Sequence, residues 1–396
     1  MGIPVAILGG GTYAARLCEV LARPGLPALE LRLHARDGAR LARIAGHAAA
    51  RVAGRHDVRA CGLDEALDGA AAVVLLIRVG GFAARDHDER FPAAFGLVGD
   101  EGVGVGGMAN AWRTLPVLDA LAARIAARAP DARVLNLMAP LGVTTRLLLE
   151  RGRPAVGLCE LPGVTIARWA AGATAGLHYA GLNHLGFWWS PEGAGHPALR
   201  AAIAAGDVTE ELVERYGAAP LHYVLDVFEV EAARALGKAR LPGRARQLAA
   251  HSAALLRRFA DEPGGEIAEQ AARATPWFEH AVAPALAAAL GGPAFEAALD
   301  LRNDGRLDEA PDGVVIELRG RYTGDAATLA PVPARPPAVR AFLARVAAAE
   351  DALYRAARDR DRAGLGEALE RLPLAVRAAD RAAILDGVCA PIAEAA

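Results

Sequence analysis

Short apolar runs alternate with stretches of helical period over the first 160 residues of the chain. Runs rich in Val, Ile, Leu and Ala, bounded by glycine, proline or charged residues, predict strands near 4–8, 29–34, 57–61, 71–78, 133–138 and 154–158. Continuous apolar runs are typical of parallel strands that helices cover on both faces. We therefore predict a Rossmann-like, doubly wound α/β domain over residues 1–160.

The pattern changes after about residue 160, where long Ala-, Leu- and Arg-rich stretches begin. Their period predicts helices within 198–216, 224–258, 266–290 and 337–396, and an antiparallel strand is expected at 313–318. We expect residues 161–396 to form a mixed, mainly helical lobe with some antiparallel strand. This lobe would supply catalytic, substrate-binding and oligomer contacts.

Composition narrows the class of protein. The 396 residues are 53% hydrophobic, enough for a large core, and 44 basic and 46 acidic residues leave a net charge of −2. Mixed charge of this kind argues against a nucleic-acid surface and against a polybasic membrane patch. Four cysteines form no CxxC motif, and no export signal precedes the first strand, so we expect a cytoplasmic protein whose partners are small molecules.

A glycine-rich turn follows the first predicted strand. Gly9 and Gly11, with Ala14, fit the dinucleotide fingerprint, and Thr12 lies where the next helix begins. The carboxylate that would bind the ribose of NAD is missing after the second strand, where Ala35 is followed by Arg36. Two interpretations stay open: a preference for NADP or dual use, in which Arg36 binds the 2′-phosphate, or a pocket that has lost nucleotide affinity. Asp37 is a poorer substitute because it lies past the expected strand end.

Ligands of open α/β sheets lie beyond the carboxyl ends of the strands, so residues at those ends are candidates for the site. Arg78 and Arg85 follow the fourth strand and precede a glycine-rich loop, 99–107, that contains Glu101. Cys159 follows the sixth strand, and His184 comes 25 residues later. A thiolate and an imidazole can share a divalent metal. On spacing alone, however, a lone cysteine at a strand end is more often a small core residue and a lone histidine is more often simply hydrogen-bonded.

Several motifs recur in the order found in one known family. The chain resembles the family 4 glycoside hydrolases, which depend on NAD and manganese. The motifs are GGGTY at 9–13, RVGG at 78–81, GDEGVGVGG at 99–107, RTLP at 113–116, GLC at 157–159 and AGLNH at 180–184.

The resemblance implies an unusual route to glycoside cleavage. The nicotinamide removes hydride from C3 of the sugar, a base takes the C2 proton, the aglycone leaves by elimination, and the hydride returns after water adds. A divalent cation, manganese in this family, stabilises the charge that develops on the sugar oxygens. The implied substrates include 6-phosphorylated and other anionic glycosides, and the family forms homodimers or homotetramers.

Site residues are carried over by position, as implications of the resemblance. Cys159 and His184 correspond to the metal ligands; Glu160, beside the cysteine, is the candidate general acid. Tyr223 is the candidate catalytic tyrosine, with Tyr216 as a rival. The remaining assignments are Asn136 to the cofactor site and Arg78, Arg85, Glu101 and Asn183 to the substrate site.

The chain departs from the family pattern at four places, one of which is a first glycine-rich turn that is one residue shorter. Ala139 replaces a sugar-binding asparagine, Gly102 follows Glu101 where a threonine is usual, and Ala35 replaces the ribose carboxylate. Two alternatives to a glycosidase therefore stay open. The same chemistry could serve a sugar dehydrogenase, epimerase or lyase, or the protein could be an inactive nucleotide- or sugar-binding relic.

Overall fold

The computed structural model describes residues 2–170, 174–271 and 274–392, whose strands form one twelve-stranded sheet. The strands are β1 Ile3–Gly9, β2 Leu29–His34, β3 Asp57–Ala60, β4 Ala72–Leu76, β5 Arg133–Asn136, β6 Ala155–Leu158, β7 His178–Leu182, β8 Leu185–Trp189, β9 Ala219–Pro220, β10 Phe295–Arg302, β11 Val315–Tyr322 and β12 Ala327–Leu329.

Helices cover the sheet. They are α1 Tyr13–Leu21, α2 Gly38–Arg51, α3 Leu63–Leu67, α4 Gly81–Arg90, α5 Gly104–Arg128, α6 Leu141–Glu150, α7 Leu161–Ala170, α8 Pro197–Ala204, α9 Glu210–Tyr216, α10 His222–Phe228, α11 Val230–Ala235, α12 Arg244–Asp261, α13 Ala268–Ala271, α14 Ala283–Ala289, α15 Pro337–Asp359, α16 Arg362–Arg371 and α17 Arg381–Val388. Short 3₁₀ segments occupy Phe91–Phe95, Gly193–Gly195 and Ala378–Asp380, and Phe278–Val282 is π-helical. No helix of the described ranges combines the length and apolarity that crossing a membrane requires.

The first six strands are parallel and run in the order β3-β2-β1-β4-β5-β6. This is the doubly wound order, so the predicted Rossmann-like sheet is confirmed. Val5, Ala6, Ile7 and Leu8 of β1 are 0% exposed, because helices pack on both faces of the central strands. All six predicted strands form within two residues of their expected ends.

The sheet continues beyond β6 into strands from later in the chain. β10 pairs antiparallel with β6 and β11, and β7, β8 and β9 extend the far side. Gly157 is required at the junction, since a Cβ at this position would lie 2.6 Å from the Asp300 Cβ on β10. The strand expected at 313–318 forms as β11, whereas the sequence predicts no element for β7, β8 or β10.

The predicted helical stretches of the second half form as several shorter helices. The stretch 198–216 is divided between α8 and α9, and 224–258 is divided among α10, α11 and α12. Residues 272–273 and 393–396, within the predicted stretches 266–290 and 337–396, lie outside the described residues. The carboxyl ends of β1, β4, β5 and β6 share one edge of the sheet, and the candidate site lies there.

Candidate active site

The glycine-rich turn lies at the carboxyl end of β1. Gly9, Gly10 and Gly11 have φ values of +90°, +84° and +52°, a backbone that favours glycine. A Cβ on Gly9 would lie 2.8 Å from the backbone of Leu76 on β4, so the turn packs directly against the neighbouring strand. The predicted residues Gly9, Gly11 and Thr12 therefore stand where the α1 N-terminus can receive phosphates.

Thr12 connects this turn to the second half of the chain. Its side chain is buried, and Thr12 Oγ1 lies 3.0 Å from Ser252 Oγ on α12. Ser252 also accepts a hydrogen bond from Arg40 Nη2 of α2 at 2.7 Å. A helix from the mainly helical half thus lies over the predicted nucleotide site.

The end of β2 carries the residues that bear on nucleotide preference. Arg36 is exposed, and Ala35 before it is partly buried. The Asp37 carboxylate accepts a hydrogen bond from Arg40 N at 2.9 Å and caps α2. The helix cap accounts for an aspartate at this position, and no ribose contact is needed to explain it.

Asn136, assigned to the cofactor from sequence, is fully buried at the end of β5. Its amide nitrogen donates to Thr144 Oγ1 and Thr145 Oγ1 at 2.9 Å each, and its oxygen accepts from Met138 N at 3.1 Å. Both amide hydrogens are therefore used inside the protein. In this arrangement Asn136 holds the β5–α6 connection.

Arg78, Arg85 and Glu101, assigned separately to substrate, form one cluster. Arg78 donates to Glu101 through Nε at 2.7 Å and Nη2 at 3.0 Å, and Arg85 Nη1 lies 2.7 Å from the same carboxylate. Arg85 also pairs with Glu89 at 2.7 Å. Burial alone would raise the pKa of Glu101, but Arg78 and Arg85 outweigh it and hold that pKa at about 2.

This pairing makes stability depend on pH. Because the folded pKa of Glu101, about 2, lies below its ordinary value of 4.5, its stabilisation is present above pH 4.5 and is lost as pH falls towards 2. We expect Glu101→Gln to lower the free energy of unfolding at pH 6, and the deficit relative to wild type to shrink by about 2 kcal/mol at pH 3. Urea unfolding at both pH values measures this, and a deficit that does not change with pH would contradict the ion-pair account.

His184 and Tyr223 meet face to face beside the glycine-rich loop. Their ring centroids are 4.0 Å apart, with the planes at 12°. His184 sits in the β7–β8 turn with φ +67°, and a Cβ on Gly102 would lie 3.4 Å from its Nδ1. Burial lowers the pKa of His184 to about 4, so its imidazole is neutral near pH 7.

Arg240 also lies over the tyrosine ring. Its guanidinium carbon is 5.1 Å from the Tyr223 ring centroid, and the guanidinium pairs with Asp100 of the glycine-rich loop. Burial and Asp100 raise the pKa of the Tyr223 phenol, while Arg240 lowers it and the nearby Cys159 raises it. By contrast, the Tyr216 hydroxyl donates to Glu229 at 2.5 Å, and its ring packs against Phe187 and Phe342. The structure therefore brings Tyr223, rather than Tyr216, to His184.

Cys159 lies at the end of β6 among acidic groups. Burial, followed by Glu317, Glu160 and Asp300, raises the pKa of its thiol well above the ordinary value. Asn183 Nδ2 donates to Glu317 Oε1 at 3.2 Å, which ties the turn containing His184 to β11. Burial also raises the pKa of Glu160, a change that favours a carboxyl group able to donate a proton.

The cysteine and the histidine are the side chains of the site that could hold a divalent metal. His184 Nδ1 is buried with no hydrogen-bond partner, as expected of a nitrogen that awaits a ligand. Within the described ranges no group of three or more His, Cys, Asp and Glu side chains is arranged to hold a metal. Two protein ligands would leave the other coordination positions to substrate oxygens, and the carboxyl groups around Cys159 would favour a cation there.

Sequence reasoning missed four residues that the structure places at the site. Arg240 lies inside the stretch 224–258 whose period predicts helix, and Asp100 lies inside a glycine-rich run. Arg40 and Ser252 lie on ordinary amphipathic helices. Spacing along the chain gives no sign of any of these contacts. A search for charged residues within the glycine-rich loop could have found Asp100.

Comparison with known proteins gives consistent matches over most of the chain. The family 4 glycosyl hydrolase model matches residues 4–171, and the model of the family 4 glycosyl hydrolase C-terminal domain matches residues 179–375. A protein of Bacillus subtilis (strain 168) named "Probable 6-phospho-beta-glucosidase" is 33% identical over 232 residues, which are 54% of this chain and 50% of that protein. The chain spans half or less of the length of the first curated relatives it matches.

Solved structures share the fold. The 6-phospho-beta glucosidase from Thermotoga maritima, determined with NAD and glucose-6-phosphate, has a TM-score of 0.82 at 21% identity and covers 97% of each chain. A 6-phospho-alpha-glucosidase from gut microorganisms, in complex with NAD and Mn2+, has a TM-score of 0.80 at 19% identity, over 98% of this chain and 97% of that one. These likenesses confirm the fold class, and the two family models, with the ordered motifs, show that the chain belongs to glycosyl hydrolase family 4.

Proposed function

We propose that the protein is an NAD(P)- and divalent-metal-dependent glycosidase that cleaves its substrate by C3 oxidation, C2 deprotonation and elimination. One observation carries the proposal: Tyr223 is stacked on a neutral His184, and both lie with Cys159 at the carboxyl edge of the Rossmann-like sheet. This combination offers a phenol for proton transfer beside two soft-to-borderline metal ligands.

The dinucleotide and metal divide the chemistry between them: when bound, the nicotinamide would accept hydride from C3, and the cation, manganese by family, would act as a Lewis acid on the sugar oxygens. Gly9, Gly11 and Thr12 would hold the nucleotide phosphates at the start of α1. Cys159 and His184 would hold the metal.

The protein supplies the proton transfers. Tyr223 would take the C2 proton, and Arg240, which lies over its ring, favours the phenolate against the opposing effects of burial and Asp100. Glu160 would protonate the departing glycosidic oxygen, because burial keeps its carboxyl group protonated to higher pH than an exposed glutamate.

We further propose an anionic substrate, with a 6-phosphorylated glycoside as the leading class. The Arg78 side chain is 33% exposed, whereas Arg85 is 10% exposed. Arg78 could therefore exchange part of its contact with Glu101 for a substrate phosphate, to which a guanidinium binds in bidentate fashion. The names of the relatives, 6-phospho-beta-glucosidase and 6-phospho-alpha-glucosidase, agree with this class.

Cleavage of p-nitrophenyl 6-phosphoglucosides in D2O tests the proposal. With nucleotide and Mn2+ we expect aglycone release, deuterium at C2 of the glucose 6-phosphate, and no net reduction of the nucleotide. Chelation by EDTA is expected to stop release, and Mn2+ to restore it. Release that continues without metal or leaves C2 undeuterated would refute the mechanism.

The same assay separates the alternative enzyme classes. Deuterium exchange at C2 without aglycone release would favour an epimerase, dehydrogenase or lyase. A protein that neither exchanges nor cleaves with any phosphorylated or unphosphorylated glycoside would be a binding relic, and the internal pairing of Glu101 with Arg78 and Arg85 is the feature that favours that outcome.

A further inference from the structure

The residues that follow β2 differ from those of an NAD site, where a carboxylate binds the ribose. The carboxylate that binds the ribose hydroxyls of NAD is absent, since Ala35 follows the strand. The acidic residue that does follow, Asp37, is held as the N-cap of α2 by its bond to Arg40 N. Ala35 therefore offers no acceptor to a free 2′-hydroxyl, and the cap holds Asp37 at the start of α2, past the strand end.

Arg40 is fixed over the glycine-rich turn. Its Nη2 donates to Ser252 Oγ at 2.7 Å, and a Cβ placed on Gly11 would lie 3.8 Å from the same nitrogen. Ser252 is 2% exposed and is itself in contact with Thr12, so the hydroxyl that holds Arg40 cannot move freely. This guanidinium belongs to the first turn of α2 but is positioned by α12, on the other half of the chain.

Two arginines, Arg36 and Arg40, outnumber the one carboxylate, Asp37, at this end of the site. Among the described residues, no acidic side chain forms an ion pair with Arg40, whose guanidinium bond is to a neutral hydroxyl. Arg36 lies four residues earlier, directly after the strand end, and the N-terminus of the 14-residue helix α2 adds a partial positive charge. A dianionic phosphate suits such a position far better than a hydroxyl does.

We propose that Arg40, together with Arg36, binds the 2′-phosphate of NADP, so that NADP is the preferred nucleotide of this protein. The inference rests on the proposed function, because it assumes that a dinucleotide binds at the glycine-rich turn. Ser252 acts as a positioning residue, which orients the Arg40 guanidinium from α12.

Equilibrium titration of the purified protein with NAD+ and NADP+ tests this without any turnover. We expect NADP+ to bind at least about tenfold more tightly than NAD+, the effect of one or two charge-assisted hydrogen bonds. Arg40→Gln is expected to weaken NADP+ by about tenfold and to leave NAD+ within about twofold. Arg40→Gln should weaken the binding of adenosine 2′,5′-bisphosphate as it weakens that of NADP+. It should leave the affinity for ADP unchanged, as it does that for NAD+.

Two further variants make the test specific. Arg43→Gln removes an exposed arginine from the same helix and is expected to leave both affinities unchanged, which controls for net charge. Ala35→Asp restores the ribose carboxylate and is expected to reverse the preference towards NAD+. It also serves as the test if Arg40→Gln fails to fold.

The outcomes separate this inference from the function on which it rests. Wild-type protein that binds NAD+ as tightly as NADP+ would overturn the 2′-phosphate site and leave the proposed function standing. Equal weakening of both nucleotides by Arg40→Gln would show a merely structural arginine and would also overturn it. Failure of both nucleotides to bind would remove the proposed function as well.

Discussion

Replacing Cys159 with serine, or His184 with asparagine, is expected to lower glycoside cleavage by about 10³-fold or more and to weaken Mn2+ binding. A metal that stabilises charge on substrate oxygens contributes several kcal/mol to the transition state, and each 1.36 kcal/mol is a factor of ten in rate. Serine is close in size to the buried cysteine but lacks the thiolate. Asparagine tolerates the left-handed backbone of His184, φ +67°, better than alanine does. Titration of Mn2+ by electron paramagnetic resonance, alongside the cleavage assay, measures both effects.

The matched control is Cys61→Ser. Cys61 is also a buried cysteine after a strand of the parallel sheet, but it lies after the edge strand β3, away from β6. We expect this variant to keep wild-type Mn2+ affinity and activity. A Cys159→Ser protein that binds Mn2+ as tightly as wild type, or a Cys61→Ser protein that loses binding equally, would rule out Cys159 as a ligand.

Tyr223→Phe is expected to reduce kcat by about 10²- to 10⁴-fold, the range for loss of a general base. The substitution keeps the ring that stacks on His184 at 4.0 Å and that Arg240 covers at 5.1 Å, and it removes only the hydroxyl. Substrate KM and Mn2+ affinity should therefore stay close to wild type. Deuterium exchange at C2 should vanish, since no group remains to take that proton.

Tyr216→Phe provides the contrast. Its hydroxyl donates to the partly buried Glu229, so we expect a loss of about 1 kcal/mol in the free energy of unfolding with activity retained. If exchange at C2 persists in Tyr223→Phe but disappears in Tyr216→Phe, then Tyr216 is the base and the assignment to Tyr223 is wrong. Thermal unfolding of both variants distinguishes a chemical effect from a folding defect.

Local pattern predicted some elements far better than others. β1 and β4 are continuous apolar runs, because their residues are buried on both faces, and such runs are visible in the sequence. β10, Phe295–Arg302, has the sequence FEAALDLR, whose Ala, Glu and Asp are not typical of strands. It becomes a strand because it pairs with β6 and β11 along the sheet.

The aromatic strand β8 was within reach of sequence reasoning. Its LGFWW run is fully buried and rich in residues that favour strands. The turn before it contains Asn183 and His184, and two such runs separated by two residues indicate a hairpin.

The sequence by itself determined the Rossmann-like sheet, the glycine-rich turn, and the family, because apolar periodicity, glycine placement and ordered motifs are local properties of the chain. Only the tertiary structure decided which tyrosine meets His184, that Glu101 joins Arg78 and Arg85, and that Ser252 holds Arg40 over Gly11. Those contacts join residues far apart in sequence. Their geometry depends on how the helical half packs over the edge of the sheet, which no spacing of residues along the chain records.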